Sequence, residues 1–399
     1  MATGNPPADA LRRFPFPQPS PLVPPPALAA CRLLAPVSRV RLADGQVAWL
    51  VTRYADIRAV LTSPDFTLHV PRPSQDDATS SRSEFMLTDD NAKHHRLRQV
   101  VGPAFSLSRV ERLRPRVREI VAGLLAAMTG RGPTADLMDS LALPLPLTVV
   151  CEVLGVPVPE WSRARHWASI CLGDTAETGD ERALAAFQDV EDHVTELIAT
   201  RRDRATGVLG RLVRAAGEGR LSEGELHSMV TGLLLAGYLT TSSTIGVGTL
   251  VLLLNPDQWD ALAHDRALVG SAVEEILRFR LTGTEISTQH RALADVTVSG
   301  VLVRRGELVV TPLVAANRDP DQFDDADRFV VARTDNAHLS FGLGTHYCLG
   351  AALARIELQE AIGALVDTLP GLRLAVPVED LPWNTSGAEV DLRALPVTW

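Results

Sequence analysis

The chain has 399 residues, 46% of them hydrophobic, which is enough for one large domain with a sizeable core or for two ordinary ones. A net charge of -9 argues against nucleic acid as a partner, and four widely spaced cysteines, Cys31, Cys151, Cys171 and Cys348, indicate neither a zinc site nor a disulfide framework. That cysteine usage fits a reducing cytoplasm, and the near-total preference for arginine over lysine, with Lys93 the exception, fits a GC-rich bacterial genome.

Residues 1–34 are rich in proline, with a run at 24–26. The stretch lacks the apolar segment of a signal peptide, and so many fixed φ angles argue against a helix; it reads as an extended arm on the surface. Residues 35–399 contain no repeat and no linker, and read as one domain. Val37 to Tyr54 alternates apolar and polar residues about Asp44-Gly45, the pattern of a β-hairpin, and Asp56 to Leu61 reads as a short helix. Phe66 to Thr88 is too long for a plain connection and is a candidate lid. His94 to Met128 is helical by period, with breaks near Pro103 and Pro115. Within it, Arg96 to Arg118 holds seven arginines against one acid, Glu111, a composition that by default marks a solvated face. Helical patterns continue through Leu137 to Leu154, Trp161 to Leu172 and Glu181 to Arg204.

Ser222-Glu223-Gly224-Glu225 is a capping box that opens a helix ending at Asn255-Pro256, ~45 Å long at 1.5 Å per residue. Met229 to Leu254 is 26 residues without a charge, long enough to cross a bilayer. Its seven Ser or Thr residues and four glycines suit a helix through the middle of a folded domain better than a membrane span. Two more helices are expected at Asp257 to His264 and Leu268 to Phe279. Strand-like pieces follow at Ser287 to His290, Val296 to Val303 and Leu308 to Ala315, and later at Leu372 to Val376 and Ala388 to Leu392.

The most informative stretch is Phe341-Gly342-Leu343-Gly344-Thr345-His346-Tyr347-Cys348-Leu349-Gly350, followed by the helical run Ala351 to Leu358. Its glycines permit tight turns and close approach to a flat ligand, and Cys348 falls where the loop meets the positive end of a helix, a setting that favours thiolate. The string fits F-G-x-G-x-H-x-C-x-G and resembles the cysteine loop of the cytochrome P450 family, the haem-thiolate monooxygenases. The resemblance extends over residues 35–399 and implies a mainly α fold with a small β-rich region and a long central helix. It also implies haem b as cofactor, with the Cys348 thiolate on the iron.

Further positions follow from that resemblance. Glu275-Ile276-Leu277-Arg278 resembles the family's E-x-x-R pair, and Arg328, after the acidic turn Asp325-Ala326-Asp327, stands where the third member of a buried ion cluster is expected. His94 and Arg98, in a segment whose usual acidic and proline positions are Asn91, Ala92 and Lys93, match residues that hold a haem propionate; Arg291, His346 and Phe341 complete the expected cofactor contacts. Ala236-Gly237-Tyr238-Leu239-Thr240 resembles the motif that opens the central helix for dioxygen, with Ala236, Gly237 and Thr240 as catalytic positions. The acid usual before the threonine is Leu239 here, and an aliphatic side chain cannot relay a proton. Either water and Thr240 manage alone, or a polar group of the substrate assists, or the product carries no inserted oxygen.

Substrate contacts are expected from Val70, Phe85, Met86 and Leu87 in the lid, Leu234, Leu235, Tyr238 and Leu239 on the long helix, Thr284 and Ile286 after the E-x-x-R helix, and Ser386 and Gly387. Their mostly apolar character suits a moderately large hydrophobic natural product, macrolide or peptide-derived. With no G-x-G-x-x-G fingerprint for flavin or nicotinamide, electrons are expected from a ferredoxin and its reductase, docking near Arg109 to Arg118. The expected protein is a cytoplasmic monomer that hydroxylates or epoxidises its substrate with dioxygen. The alternatives are oxidative coupling, ring closure or desaturation by the same chemistry, a haem protein that binds a gas without turnover, and a helical binding protein without cofactor.

Overall fold

A computed structural model describes residues 11–68, 91–159, 163, 166–167, 175–279, 289–384 and 391–399. The expected lid residues Val70, Phe85, Met86 and Leu87 lie outside them, as do Thr284, Ile286, Ser386, Gly387 and most of Trp161 to Leu172.

The elements are β1 (Arg12–Arg13), α1 (Pro26–Leu34), β2 (Val37–Arg41), β3 (Val47–Val51), α2 (Tyr54–Thr62), β4 (Phe66–Thr67), α3 (Asn91–Val101), α4 (Leu107–Glu111) and α5 (Arg114–Thr129). Next come β5 (Thr134–Asp136), α6 (Pro144–Leu154), α7 (Thr175–Arg201), α8 (Gly207–Gly217), α9 (Glu223–Leu253), α10 (Pro256–His264) and α11 (Val269–Phe279). The chain continues through β6 (Gln289–Ala292), β7 (Val296–Val298), β8 (Val301–Val303), β9 (Leu308–Val310), α12 (Leu313–Asn317), α13 (Ala351–Thr368), β10 (Arg373–Leu374), β11 (Trp383–Asn384), β12 (Asp391–Leu392) and β13 (Pro396–Thr398).

Helix α9 organises the helical layer, packing against α6, α7, α8, α11 and α13. Its capping box is formed: the Glu225 N–H donates to Ser222 Oγ at 3.0 Å and the Ser222 N–H to Glu225 Oε2 at 2.9 Å. The helix is long and apolar enough to span a bilayer, and 67% of its most apolar window is buried inside the fold. Its neighbours satisfy its apolar faces in place of lipid.

A sheet with strand order β1-β2-β3-β9-β6-β4 forms the second layer. The β2–β3 hairpin pairs antiparallel and β3 runs parallel to β9. Two expectations need correction. Pro26–Leu34 is a helix, because a proline at the first position loses no intrahelical bond and brings a φ already suited to the turn. The described residues 11–34 lie along the surface but are anchored to it: Phe14 and Phe16 meet edge to face at 5.5 Å and are buried with Leu28 and Cys31 against the sheet. Val296 to Val303 is not one strand but the hairpin β7–β8, reversed at Ser299 and Gly300 with φ of 44° and 79°. Helix α8 was not expected, since Gly207, Gly210 and Gly217 weaken the local helical signal.

Candidate active site

The cysteine loop enters between α2 and α13. Gly344 sits at φ +71°, and a Cβ there would lie 2.6 Å from the Leu61 carbonyl oxygen, so only glycine lets the loop lie against α2. The Cys348 N–H donates to the Phe341 carbonyl at 2.8 Å, which closes the loop just before α13. The Phe341 ring faces the guanidinium of Arg355, 4.6 Å from its centroid. Cys348 has accessible surface, yet protein atoms enclose it at longer range. The enclosure matters more for its charge, because a thiolate senses the dielectric over many ångströms. Burial pushes the thiol pKa up; the Gly350 N–H, Arg98, Arg355 and the Ala351 N–H oppose it.

Beside the loop is a cluster of basic groups. His94, on α3, and His346 have ring centroids 4.2 Å apart. Burial, followed by the charges of His94 and Arg98, lowers the His346 pKa to about 4. Burial, then Arg98 and His95, lowers that of His94. Arg98 reaches the Thr345 carbonyl at 3.4 Å. Buried His94 Nδ1 and both ring nitrogens of His346 have no hydrogen-bond partner.

Arg291 is expected beside this cluster, and its buried Nε has no hydrogen-bond partner among the described residues. Successive strand residues face opposite sides, and in β6 His290 and Ala292 are buried while Gln289 and Arg291 are less so. The Arg291 Nη1 donates to the Gly306 carbonyl at 2.7 Å, at the turn before β9. His290 is the residue whose charge couples to His346; burial first, then that neighbour, lowers its pKa to about 4. His290 Nε2 and the Thr311 hydroxyl lie 3.1 Å apart, a hydrogen bond that already engages the buried ring.

Within the buried centre of α9, Ala236 and Thr240 are exposed, one turn apart on a single face. The Thr240 hydroxyl donates to the Ala236 carbonyl at 2.8 Å. Gly237 also serves packing: a Cβ there would lie 2.8 Å from Val150 Cγ2, so this glycine lets α9 cross close to α6. Leu234 and Tyr238 are corrected, for they lie on the face opposite Ala236, buried in the helical core. Leu235 packs partly buried against that core, and Leu239 is 9% exposed.

The ion cluster behind the loop is built on Glu275 and Arg278, both 0% exposed. Arg278 Nε and Nη2 reach the two Glu275 oxygens at 2.7 and 2.8 Å, and Nη1 donates to the carbonyls of Asn317 and Ala326. The third cation is Arg333, not Arg328. Arg333 Nε lies 3.1 Å from Glu275 Oε2, whereas Arg328 offers Arg278 only its carbonyl, at 3.1 Å. A turn closed by the Arg328 N–H to Asp325 carbonyl bond holds Arg328 outward, and the chain brings Arg333 back five residues later.

The family model for cytochrome P450 matches residues 179–369. The nocardicin C N-oxygenase of Nocardia uniformis subsp. tsuyamanensis is 40% identical over 97% of this chain and 98% of its own length. The mycinamicin IV hydroxylase/epoxidase of Micromonospora griseorubida is 42% identical over 91% of this chain and 92% of its own. Among solved structures, the LnmA cytochrome P450 hydroxylase from the leinamycin pathway of Streptomyces atroolivaceus S-140 superposes with a TM-score of 0.88 at 38% identity, over 98% of this chain and 100% of that one. The chain belongs to the cytochrome P450 family. It is a monooxygenase, an oxidoreductase whose cofactor is haem with an axial cysteine thiolate. The described residues fit that group: Arg98 carries a positive charge, and buried His94 Nδ1, both His346 ring nitrogens and Arg291 Nε have no hydrogen-bond partner among the described residues, so that haem propionates can supply the missing acceptors.

Proposed function

We propose that the protein hydroxylates or epoxidises a moderately large hydrophobic natural product, macrolide or peptide-derived, in antibiotic biosynthesis. Cys348 is the iron ligand in this reading, and His94, Arg98, Arg291 and His346 hold the propionates. The observation that carries it is the exposed pair Ala236 and Thr240, one turn apart on one face within the mostly buried middle of α9. When bound, haem supplies the reductive activation of dioxygen.

Thr240 holds its proton against the Ala236 carbonyl and can pass it on only when another donor replaces it. Leu239 offers none. A substrate hydroxyl, amine or carboxylate seated beside Thr240 completes the relay. The names of relatives acting on nocardicin C and mycinamicin IV support the substrate class.

Electrons come from a ferredoxin and its reductase in the cytoplasm. Arg109 and Arg112 are exposed, make no ion pair among the described residues and flank Leu107, 66% exposed, which together suit an acidic partner. Arg114, Arg116 and Arg118 are held by Glu111, Glu152 and Glu360. A second reading, coupling, ring closure or desaturation without oxygen insertion, is favoured by Leu239.

The test is the product formed under isotopically labelled dioxygen with surrogate ferredoxin and reductase, from an extract of the producing cells. A product heavier by one labelled oxygen supports insertion. A product lighter by two hydrogens and without label supports the second reading, and reduction without any product overturns both.

A further inference from the structure

Behind the cysteine loop, apart from the Glu275 cluster, lies a second ion network. Arg355 stands on α13, seven residues after Cys348. Its Nε and Nη2 reach Glu274 Oε1 and Oε2 at 2.7 and 2.8 Å, a two-pronged pairing that fixes the guanidinium plane. The remaining arm, Nη1, donates to the Tyr347 hydroxyl at 3.2 Å, and Tyr347 immediately precedes Cys348. The guanidinium also covers Phe341, the residue whose carbonyl accepts the Cys348 N–H. On the far side of Glu274, His338 Nε2 lies 3.1 Å from Oε2. Helix α11, helix α13 and both ends of the loop thus meet at one carboxylate.

The charges are also oriented. Burial alone would raise the Glu274 pKa, but hydrogen bonds from His338 and Arg355 and their charges hold it at about 2. Arg355 meets the loop at the Tyr347 hydroxyl and the Phe341 ring and is among the charges acting on the Cys348 sulfur. The pair therefore presents its positive end to the cysteine.

We propose that Arg355, oriented by Glu274, positions the cysteine loop through Tyr347 and Phe341 and withdraws charge from the Cys348 sulfur, so that the pair sets the reduction potential of the bound haem. The inference rests on Cys348 as the thiolate ligand. A cation beside the sulfur weakens its donation and favours the reduced, more negative state; a carboxylate that masks the cation does the reverse. Removing the two charges must move the potential in opposite directions. A network that only braces the loop would give damage of one sign from both changes.

The experiment uses haem-loaded wild type, R355Q, E274Q and R355K, and measures the reduction potential by spectroelectrochemistry and the Soret position of the ferrous carbonyl complex. The expected result is a lower potential for R355Q, a higher one for E274Q and a potential near wild type for R355K. In R355K a loosened loop shows as a larger share of the short-wave carbonyl band, because lysine keeps the charge and loses the fork. Potentials shifting in the same direction for R355Q and E274Q, or in neither, overturn the proposal. Should R355Q not hold haem, E274Q decides alone: a potential that fails to rise overturns it. If wild type itself lacks the long-wave carbonyl band of thiolate ligation, Cys348 as ligand fails and this inference fails with it. A wild type with that band and unresponsive variants defeats this inference alone.

Discussion

Arg333 Nε stands 3.1 Å from Glu275 Oε2, while the Arg328 side chain points away from the same carboxylate. Glu275→Ala leaves Arg278 charged and buried without its carboxylate, with an expected loss of ~3–5 kcal/mol in denaturant unfolding. Arg333→Ala is expected to cost less, since Arg278 still pairs with Glu275. Arg328→Ala is expected to stay within ~0.5 kcal/mol of wild type; a larger loss would restore Arg328 to the cluster.

His290 and Arg291 are adjacent in β6 and face opposite sides. With Arg291 as a propionate partner, Arg291→Ala should weaken haem retention by ~10-fold or more, the worth of a hydrogen bond to a charged group. His290→Leu should weaken it less, since the His290 ring already bonds the Thr311 hydroxyl. Haem transfer to an excess of apomyoglobin measures both, and a reversed order would move the role to His290.

In the proposed reading, Thr240 and Leu239 decide how electrons divide between product and peroxide. Thr240→Val removes the hydroxyl at nearly constant volume and is expected to raise peroxide per reducing equivalent. Leu239→Glu adds an acid beside it and is expected to shift the product-to-peroxide ratio with the native substrate. An unchanged ratio would show that the residue before Thr240 has no part in proton supply.

Arg109 and Arg112 are free to meet a partner, and Arg116 is engaged with Glu119 and Glu152 at 3.0 and 2.8 Å. Reversing Arg109 and Arg112 to glutamate should raise the apparent ferredoxin Kd by ~10-fold at low salt, with the difference shrinking as salt is added. Arg116→Gln should change it little. Equal effects would move the docking surface elsewhere.

Glu274 carries a pH signature. Its pKa is held at about 2 against an ordinary 4.5, so the unfolded chain binds more protons between those values. The stability it contributes is complete above about pH 4.5 and is lost as pH falls towards about 2. Acid unfolding of E274Q should be flatter than wild type across that window; parallel curves would mean that the carboxylate adds nothing.

Local rules made much of this molecule legible in its sequence. Ser222 and Glu225 announce the start of α9 three residues apart, Asp44-Gly45 marks a hairpin, and the ten residues from Phe341 to Gly350 carry the family resemblance. The errors share a cause. Pro26 opens a helix where the prolines at 24–26 argue against one, and Arg333 closes on Glu275 where the family resemblance points to Arg328.

The sequence by itself determined the family, the cofactor, the long central helix and the departure at Leu239, because each is written in residues close together along the chain, where periodicity, capping and motif spacing act. Only the tertiary structure decided which arginine closes on Glu275, which residue of β6 faces His346, which arginines remain free near α4, and that Arg355 ties Glu274 to the cysteine loop. Those choices depend on where the chain returns after a turn and on which side of a strand or helix meets its neighbour. Coulomb and hydrogen-bond energies act over a few ångströms of space, whatever the separation along the chain.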